Sequence, residues 1–258
     1  MIAHFMKRFA PAAALAIAAT LPGCAYIDDW DKVDGVPLAE LDMSGEAPTA
    51  IELSGSDKLV ITEGDSLTIT LEGDRDAGDA LRFDRNGDRL SIARDRSVFD
   101  GSGTAIVRMT LPSPSTLSVA GSGTIESATM SGNAQIEIAG SGDISVESMK
   151  VDNLSVEIAG SGDVRAGGTA TKLSIEIAGS GNVRLAELTA DDVSVEIAGT
   201  GDVELASDGK VHAEIAGAGD VQVTGSATCT LDKAGSGSLT CTPRAATAAV
   251  EPEEADAE

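Results

Sequence analysis

The sequence is poor in aromatic residues, and this shortage limits what the protein can bind. Aromatics make up 2% of its 258 residues, with one Trp and one Tyr. Such a chain offers few of the large, rigid side chains on which binding hot spots depend, and few platforms for sugars. Because 42% of the residues are nevertheless apolar, the core must be aliphatic.

Positive charge and long apolar runs are scarce as well. The 18 Lys and Arg oppose 42 Asp and Glu, which gives a formal net charge of −24. A polyanion is repelled by nucleic acid and by anionic lipid headgroups, so we expect neither as a partner surface. Apolar runs of 18 or more residues are missing, and a transmembrane helix is therefore not expected.

The N-terminus has the pattern of a lipoprotein signal peptide over residues 1–23. Two basic residues precede an apolar stretch at 9–20, which is too short to cross a bilayer. The sequence Leu21-Pro22-Gly23-Cys24 then resembles a lipobox, although Pro22 stands where Ala or Ser is commoner. We predict that Cys24 is acylated and anchors the chain to a membrane. An ordinary cleaved secretory signal is the alternative.

Two segments outside the signal peptide show no periodicity. Residues 24–48 are acidic and are interpreted as a tether, and residues 243–258 as a disordered acidic tail. Ala25 replaces the aspartate that would favour inner-membrane retention, so we expect an outer-membrane lipoprotein facing the periplasm or the surface. A periplasmic or secreted protein is the alternative.

A turn related to Ala-Gly-Ser-Gly recurs through the second half of the chain at spacings of 18 to 20 residues. Its copies begin at Ala120, Ala139, Ala159, Ala178, Ala198, Ala216 and Ala234. Apolar columns on both sides of the turn alternate with polar columns at period two, which is typical of half-buried strands. A coil of about 19 residues cannot bury its own apolar face, so the coils must stack. The pattern predicts an all-β chain folded as a parallel β-helix, with repeats over residues 117–242.

Residues upstream of the repeats are β-like but out of register with them. Candidate strands lie at 51–53, 59–62, 66–71, 89–92 and 105–111. Asn86-Gly87 is a typical hairpin turn. We interpret this region as an irregular β cap with the first irregular coils, because an open solenoid end would aggregate.

With this pattern in place, the chain resembles the bacterial head GIN domain family, described as heads of auto-transporter adhesins. The residues that carry the resemblance are Leu59–Gly64, Leu71–Gly73, Met109–Pro112, Leu117–Gly123 and the repeats that follow. The resemblance covers about residues 48–242. It implies a right-handed β-helix at 49–242 in an exported protein and implies no catalytic residues.

Two cysteines remain if Cys24 is acylated. Cys229 and Cys241 occupy inward columns of the last coil, and an oxidising compartment favours a disulfide between them. Two buried free thiols are the alternative.

An acidic file precedes the turns, with one carboxylate two residues before each Ala. Its members are Glu137, Glu157, Glu176, Glu196, Glu214 and Asp232. Alternation points them outward about 5 Å apart, where like charges repel. A solvated face that prevents aggregation is one interpretation, and a stripe that binds Ca²⁺ or a polycation is the other. Arg165 and Arg184 are candidate counter-ions.

These features predict a non-enzymatic, exported, adhesin-like binding module with an unidentified macromolecular ligand. A periplasmic structural scaffold is the alternative. A carbohydrate-active β-helix enzyme is a lower alternative, because short uniform turns make no cleft. Beyond residue 23 the only histidine is His212, and no Gly-x-Ser-x-Gly elbow occurs. No cofactor or firm metal site is expected.

Overall fold

A computed structural model describes residues 34–99 and 101–243. The predicted signal peptide, Cys24, residues 24–33 of the tether and residues 244–258 of the tail lie outside the described residues. The fold is all-β, with 69% strand and almost no helix. Among the described residues, no helix is long and apolar enough to cross a membrane.

The described residues form sixteen strands, one short α-helix, α1 (Arg75–Asp79), and a 3-10 helix at Leu38–Glu40. The first eight strands are β1 (Ala50–Gly55), β2 (Lys58–Glu63), β3 (Thr68–Gly73), β4 (Leu81–Asn86), β5 (Arg89–Arg94), β6 (Ala105–Leu111), β7 (Thr116–Gly121) and β8 (Thr124–Met130). The other eight are β9 (Asn133–Gly140), β10 (Asp143–Gly160), β11 (Asp163–Gly179), β12 (Asn182–Gly199), β13 (Val203–Gly217), β14 (Asp220–Thr224), β15 (Thr228–Gly235) and β16 (Ser238–Thr242).

The repeats stack as predicted, into a β-solenoid of about seven turns of about 19 residues. Each long strand from β10 to β13 contains the second half of one coil and the first half of the next. A register shift, such as that between Val146 and Met149, marks the corner between the two halves. Neighbouring coils pair in parallel along both halves, so one coil satisfies the backbone hydrogen bonds of the next.

Aliphatic columns fill the interior. In one column Ile136, Val156 and Ile175 have no exposed surface, and in the next Ile138, Ile158 and Ile177 are each 2% exposed. Fully burying such a side chain stabilises the fold by roughly 1.5–3 kcal/mol. Repetition of the same contact along the stack therefore replaces the aromatic core that this sequence lacks.

The Gly turns make the closest contacts between coils. Gly140, Gly160 and Gly179 have φ values of +130°, +139° and +139°, which only glycine adopts without strain. Their carbonyl oxygens point to the next coil: Ser161 N donates to Gly140 O and Ser180 N to Gly160 O, both at 2.8 Å. A Cβ on Gly179 would overlap Gly160 O. Glycine is therefore required both by the positive φ and by the close contact between coils.

The first coils stack out of chain order. Strand β1 lies parallel to β7, with Gly55 opposite Gly121, so this segment is in register with the repeats and the expectation that it is not was wrong. Strands β5 and β6 pair in parallel with β1 and β2 from the other side. The later coil thus lies beneath the earlier one, and the antiparallel strands β3 and β4 connect the two.

Antiparallel strands and the preceding segment complete the N-terminal end. The predicted Asn86-Gly87 turn joins β4 to β5, with Gly87 at φ +64°. Residues 34–48, which the sequence assigned to the tether, lie against this hairpin: Val36 forms a bridge with Phe83, and Leu41 is 9% exposed. Arg85 also donates to the backbone oxygens of Asp42 and Ser44 at 2.8 Å. The tether does not extend over these residues.

The C-terminal coil is closed by a disulfide between Cys229 and Cys241, whose Cα atoms are 6.8 Å apart. It joins β15, which pairs with β13, to β16, which pairs with β14. Because no described strand stacks on this coil, Cys229 is only partly buried and Cys241 is exposed. The bridge therefore holds together two strands that lack a neighbour on their outer side.

Removing this disulfide is expected to lower the free energy of unfolding by about 2–3 kcal/mol, since it closes a short loop in the unfolded chain. The variant Cys229→Ser/Cys241→Ser and the parent chain would be unfolded in urea with and without reductant. Reductant should lower the midpoint of the parent only. A parent that does not respond would contradict a stabilising bridge.

Candidate functional site

A groove runs along the stack on the strand that precedes each Gly turn. Its volume is about 820 Å³, and it crosses six coils, from Asn133 to Thr230. With strands about 4.8 Å apart, six coils span about 24 Å. The apolar residues Ala134, Leu154, Leu173, Val193 and Val211 line it. Beside them runs a file of outward-facing residues, which has Gln135 and His212 near its ends and the short Ser155, Ser174 and Ser194 between them. The groove exists because these short side chains lie between two files of longer ones.

One rim of the groove is mixed in charge. It consists of Asn133, Asn153, Lys172, Asp192, Lys210 and Thr228, one from each coil. At one end Asn153 donates to Asn133 at 2.8 Å. The side chains of Lys172, Asp192 and Lys210 are exposed and form no hydrogen bond or ion pair with other described residues. This rim therefore presents free ammonium groups to whatever enters the groove.

The acidic file lies next to the residues that line the groove, two positions farther along each strand, where Gln135 donates to Glu137 and His212 contacts Glu214. Its members are in direct register, Glu137 with Glu157, Glu157 with Glu176, and so on to Asp232. Carboxylates about 5 Å apart repel by on the order of 1 kcal/mol in water. At Glu137 this repulsion is reduced by hydrogen bonds that its carboxylate accepts from Gln135 at 2.6 Å and from Ser118 at 3.1 Å. Glu157, Glu176 and Glu196 are exposed and have no such partner among the described residues.

His212 lies in the floor file near the C-terminal end of the groove. Its Nε2 is 3.2 Å from a Glu214 oxygen and 3.9 Å from Asp232, and its Nδ1 is 3.0 Å from the Thr230 hydroxyl. The imidazole therefore bridges two members of the acidic file. No group of three or more His, Cys, Asp or Glu within residues 34–99 and 101–243 could hold a metal ion, so cation binding by the file stays a prediction.

Arg165 and Arg184 do not neutralise the acidic file, contrary to the sequence-based expectation. They lie on the strand after the Gly turn, where both donate to the Asp163 carboxylate. The distance is 2.8 Å from Arg184 and 3.3 Å from Arg165. Burial alone would raise the pKa of Asp163. Hydrogen bonds from Arg184 and Asn182, with the charges of both arginines, outweigh burial and hold the pKa of this carboxyl below its usual range.

These arginines border a second groove of about 380 Å³, which is also lined by Glu147, Glu187 and Glu204. Here acidic and basic groups face each other. The first groove differs because its middle glutamates and lysines are all unpaired within the part of the chain that the structure describes. The acidic file was visible in the sequence, but the groove beside it was not singled out, although the serine file could have indicated it.

The chain also matches known proteins. A family model described as "Putative auto-transporter adhesin, head GIN domain" matches residues 47–227. The groove lies almost entirely within this range, and only its last level, at Thr228 and Thr230, lies beyond it. No curated protein matches the chain.

Solved structures from Bacteroides and Parabacteroides species share the fold. A "putative adhesin" from Bacteroides fragilis is 20% identical, with a TM-score of 0.69, over 78% of this chain and 94% of its own. A "putative lipid binding protein" from Parabacteroides distasonis is 22% identical, with a TM-score of 0.59, over 76% and 93%. A "putative adhesin" from Parabacteroides merdae is 16% identical, with a TM-score of 0.59, over 78% and 94%.

Proposed function

The chain belongs to the head GIN domain family, described as putative auto-transporter adhesins, and from this premise we propose that it is a non-enzymatic binding module of the cell envelope. Its ligand is a macromolecule that lies along the solenoid. The observation that carries the proposal is the groove of about 820 Å³ across six coils, with unpaired charges on both sides. A stack of paired strands holds these groups in place before a ligand arrives, which lowers the entropic cost of binding.

Anchoring at Cys24 would complete this role. Two or three acyl chains on one cysteine give a stable attachment, whereas a single chain gives a marginal one. The described residues begin at 34, ten positions after Cys24, and Val36 already pairs with Phe83, so a short segment would join the solenoid to the membrane. The net charge of −24 would keep the solenoid from lying on anionic lipid.

The change Cys24→Ser is expected to move the protein from the membrane fraction to the soluble fraction of lysed cells, because the acyl chains are the only anchor proposed. Fractionation with mass analysis of the N-terminal peptide measures this. An unmodified N-terminal peptide on the parent protein, or an unchanged membrane fraction for the variant, would contradict the lipid anchor.

Exposure at the cell surface distinguishes a binding module from a scaffold. Protease is added to intact cells and to lysed cells of the producing organism, and the solenoid is followed by immunoblot. Digestion in intact cells is the expected result for an adhesin-like protein. Protection until lysis would place the solenoid in the periplasm and favour an envelope scaffold, whose rigid regular stack needs no external ligand.

A further inference from the structure

The shape of the groove restricts its occupant to a thin, unbranched chain. The groove follows the stack for about 24 Å, and it is lined by Ser155, Ser174 and Ser194 together with an apolar column from Ala134 to Val211. A polypeptide in the extended polyproline II conformation rises about 3.1 Å per residue, so about eight residues fill this length. Glycans fit less well because the chain has so few aromatic platforms.

The unpaired groups around the groove require opposite partners on its two sides. Glu157, Glu176 and Glu196 need cations. On the other rim Lys172 and Lys210 flank Asp192 in register but form no ion pair with it, and the floor adds serine hydroxyls. A simple polyamine would satisfy the glutamates but not the lysines. A basic peptide has both kinds of group, cationic side chains and backbone carbonyl oxygens.

Resting on the proposed binding role, we infer that the groove holds an extended, basic segment of a partner polypeptide. Its Lys or Arg side chains contact the acidic file, and its carbonyl oxygens face Lys172 and Lys210. The polyproline II helix repeats every three residues, about 9.3 Å, which is close to the spacing of alternate coils, about 9.6 Å. A cation at every third residue therefore meets alternate glutamates.

The test uses the full-length protein and a fluorescein-labelled probe of three Lys-Pro-Pro repeats, about 28 Å long. Fluorescence anisotropy measures the affinity at low salt. The variant Glu157→Gln/Glu176→Gln/Glu196→Gln is expected to bind about fivefold more weakly, since cations at alternate coils meet Glu157 and Glu196 and exposed ion pairs contribute roughly twofold to threefold each. A probe of three Glu-Pro-Pro repeats should not bind. Tight binding of the acidic probe would overturn the inference.

A matched variant separates the groove from bulk charge. Glu147→Gln/Glu187→Gln/Glu204→Gln removes the same three charges from the second groove, where the side chains are also exposed. Its affinity should stay within about twofold of the parent, since screened charges on another face contribute little. An equal loss in both variants would show attraction to the whole polyanion and would overturn the inference.

The variant Ser174→Tyr tests the groove without a change in charge. Tyrosine suits a strand and would fill the floor midway along the groove, so affinity should fall about fivefold or more. Unchanged affinity would place the probe elsewhere and overturn the inference. Circular dichroism and thermal midpoints confirm that all variants fold.

Failure here is distinguishable from failure of the proposed function. If the solenoid is digested on intact cells but does not bind the basic probe, the proposed surface binding role stands and only the basic peptide partner is excluded. A solenoid protected until lysis loses the adhesin-like role whatever the peptide does.

Discussion

Replacing Gly179 by alanine is expected to lower the free energy of unfolding by more than about 4 kcal/mol, a loss that only a few structural causes produce. The residue has φ +139°, and a Cβ there would overlap the carbonyl oxygen of Gly160 in the coil beneath. The clash is with backbone, which cannot rotate away. That oxygen also accepts the hydrogen bond from Ser180 N, so relief by movement would break the contact between coils. Urea unfolding followed by circular dichroism measures the effect.

Gly55→Ala is the matched control for this prediction. Gly55 lies in the corresponding turn of the first in-register coil and has φ +121°, but nothing lies within 4 Å of a Cβ built there. It carries the backbone strain without the clash, so we expect a loss of about 1–3 kcal/mol. Equal losses at the two positions would show that strain alone makes glycine necessary and that the close approach of the coils costs little.

Asp57→Ala is expected to destabilise the N-terminal end by about 3–5 kcal/mol, because it leaves a buried guanidinium without its counter-ion. The Asp57 side chain is fully buried and that of Arg94 is 9% exposed. The carboxylate accepts from Arg94 through two nitrogens and from Ala105 N at 2.8 Å. Arg94 also donates to Gly103 O at 2.8 Å and lies 5.6 Å from the centre of the Phe99 ring. The free energy of unfolding in urea is the measurement.

Arg108→Ala breaks an ion pair of similar length without burial. Arg108 Nε lies 2.7 Å from a Glu72 oxygen, but the two side chains are 51% and 50% exposed. Exposed pairs contribute about 0–1 kcal/mol, so this variant should unfold close to the parent. If Asp57→Ala were equally mild, the buried pair would not be what joins the turn between β1 and β2 to the end of β5.

The repeats were predictable because each coil repeats the same pattern of apolar columns and the same Gly turn. Alternating columns such as Ile136, Val156 and Ile175 specify one face, and the Gly turn specifies the corner. A register slip of one residue would turn every apolar side chain outward, so the stacking order followed from the sequence alone.

The N-terminal end was harder because its partners are far apart in the chain. Ser54-Gly55-Ser56 is a variant of the repeated turn, with serine in place of the alanine that precedes the glycine in the other copies. The Ala-Gly-Ser-Gly pattern therefore does not include it. The placement of β5 and β6 beneath β1 and β2 depends on the antiparallel pairing of β3 with β6 and of β4 with β5. Asp57 and Arg94 are 37 residues apart, and no local pattern indicates that they meet.

Of the candidate site, the acidic file was predictable from the sequence and the groove was not. Outward direction follows from alternation, so the acidic file could be derived residue by residue. A groove depends on the relative lengths of side chains in three adjacent files, and it appears only when Ser155, Ser174 and Ser194 are set beside their longer neighbours. The arginines were misplaced because proximity in sequence is not proximity in space: Arg165 and Arg184 follow the Gly turn, which directs them away from the glutamates that precede it.

Stacking in which each coil contacts only its two neighbours makes the length of the protein an evolutionary variable. Duplication of one 19- or 20-residue unit between the two specialised ends would insert a complete coil without disturbing the buried pair at one end or the disulfide at the other. Each insertion would lengthen the groove by about 4.8 Å and add one glutamate to its border. Lineages could therefore tune affinity by unit number, through unequal crossing-over, instead of by point substitution.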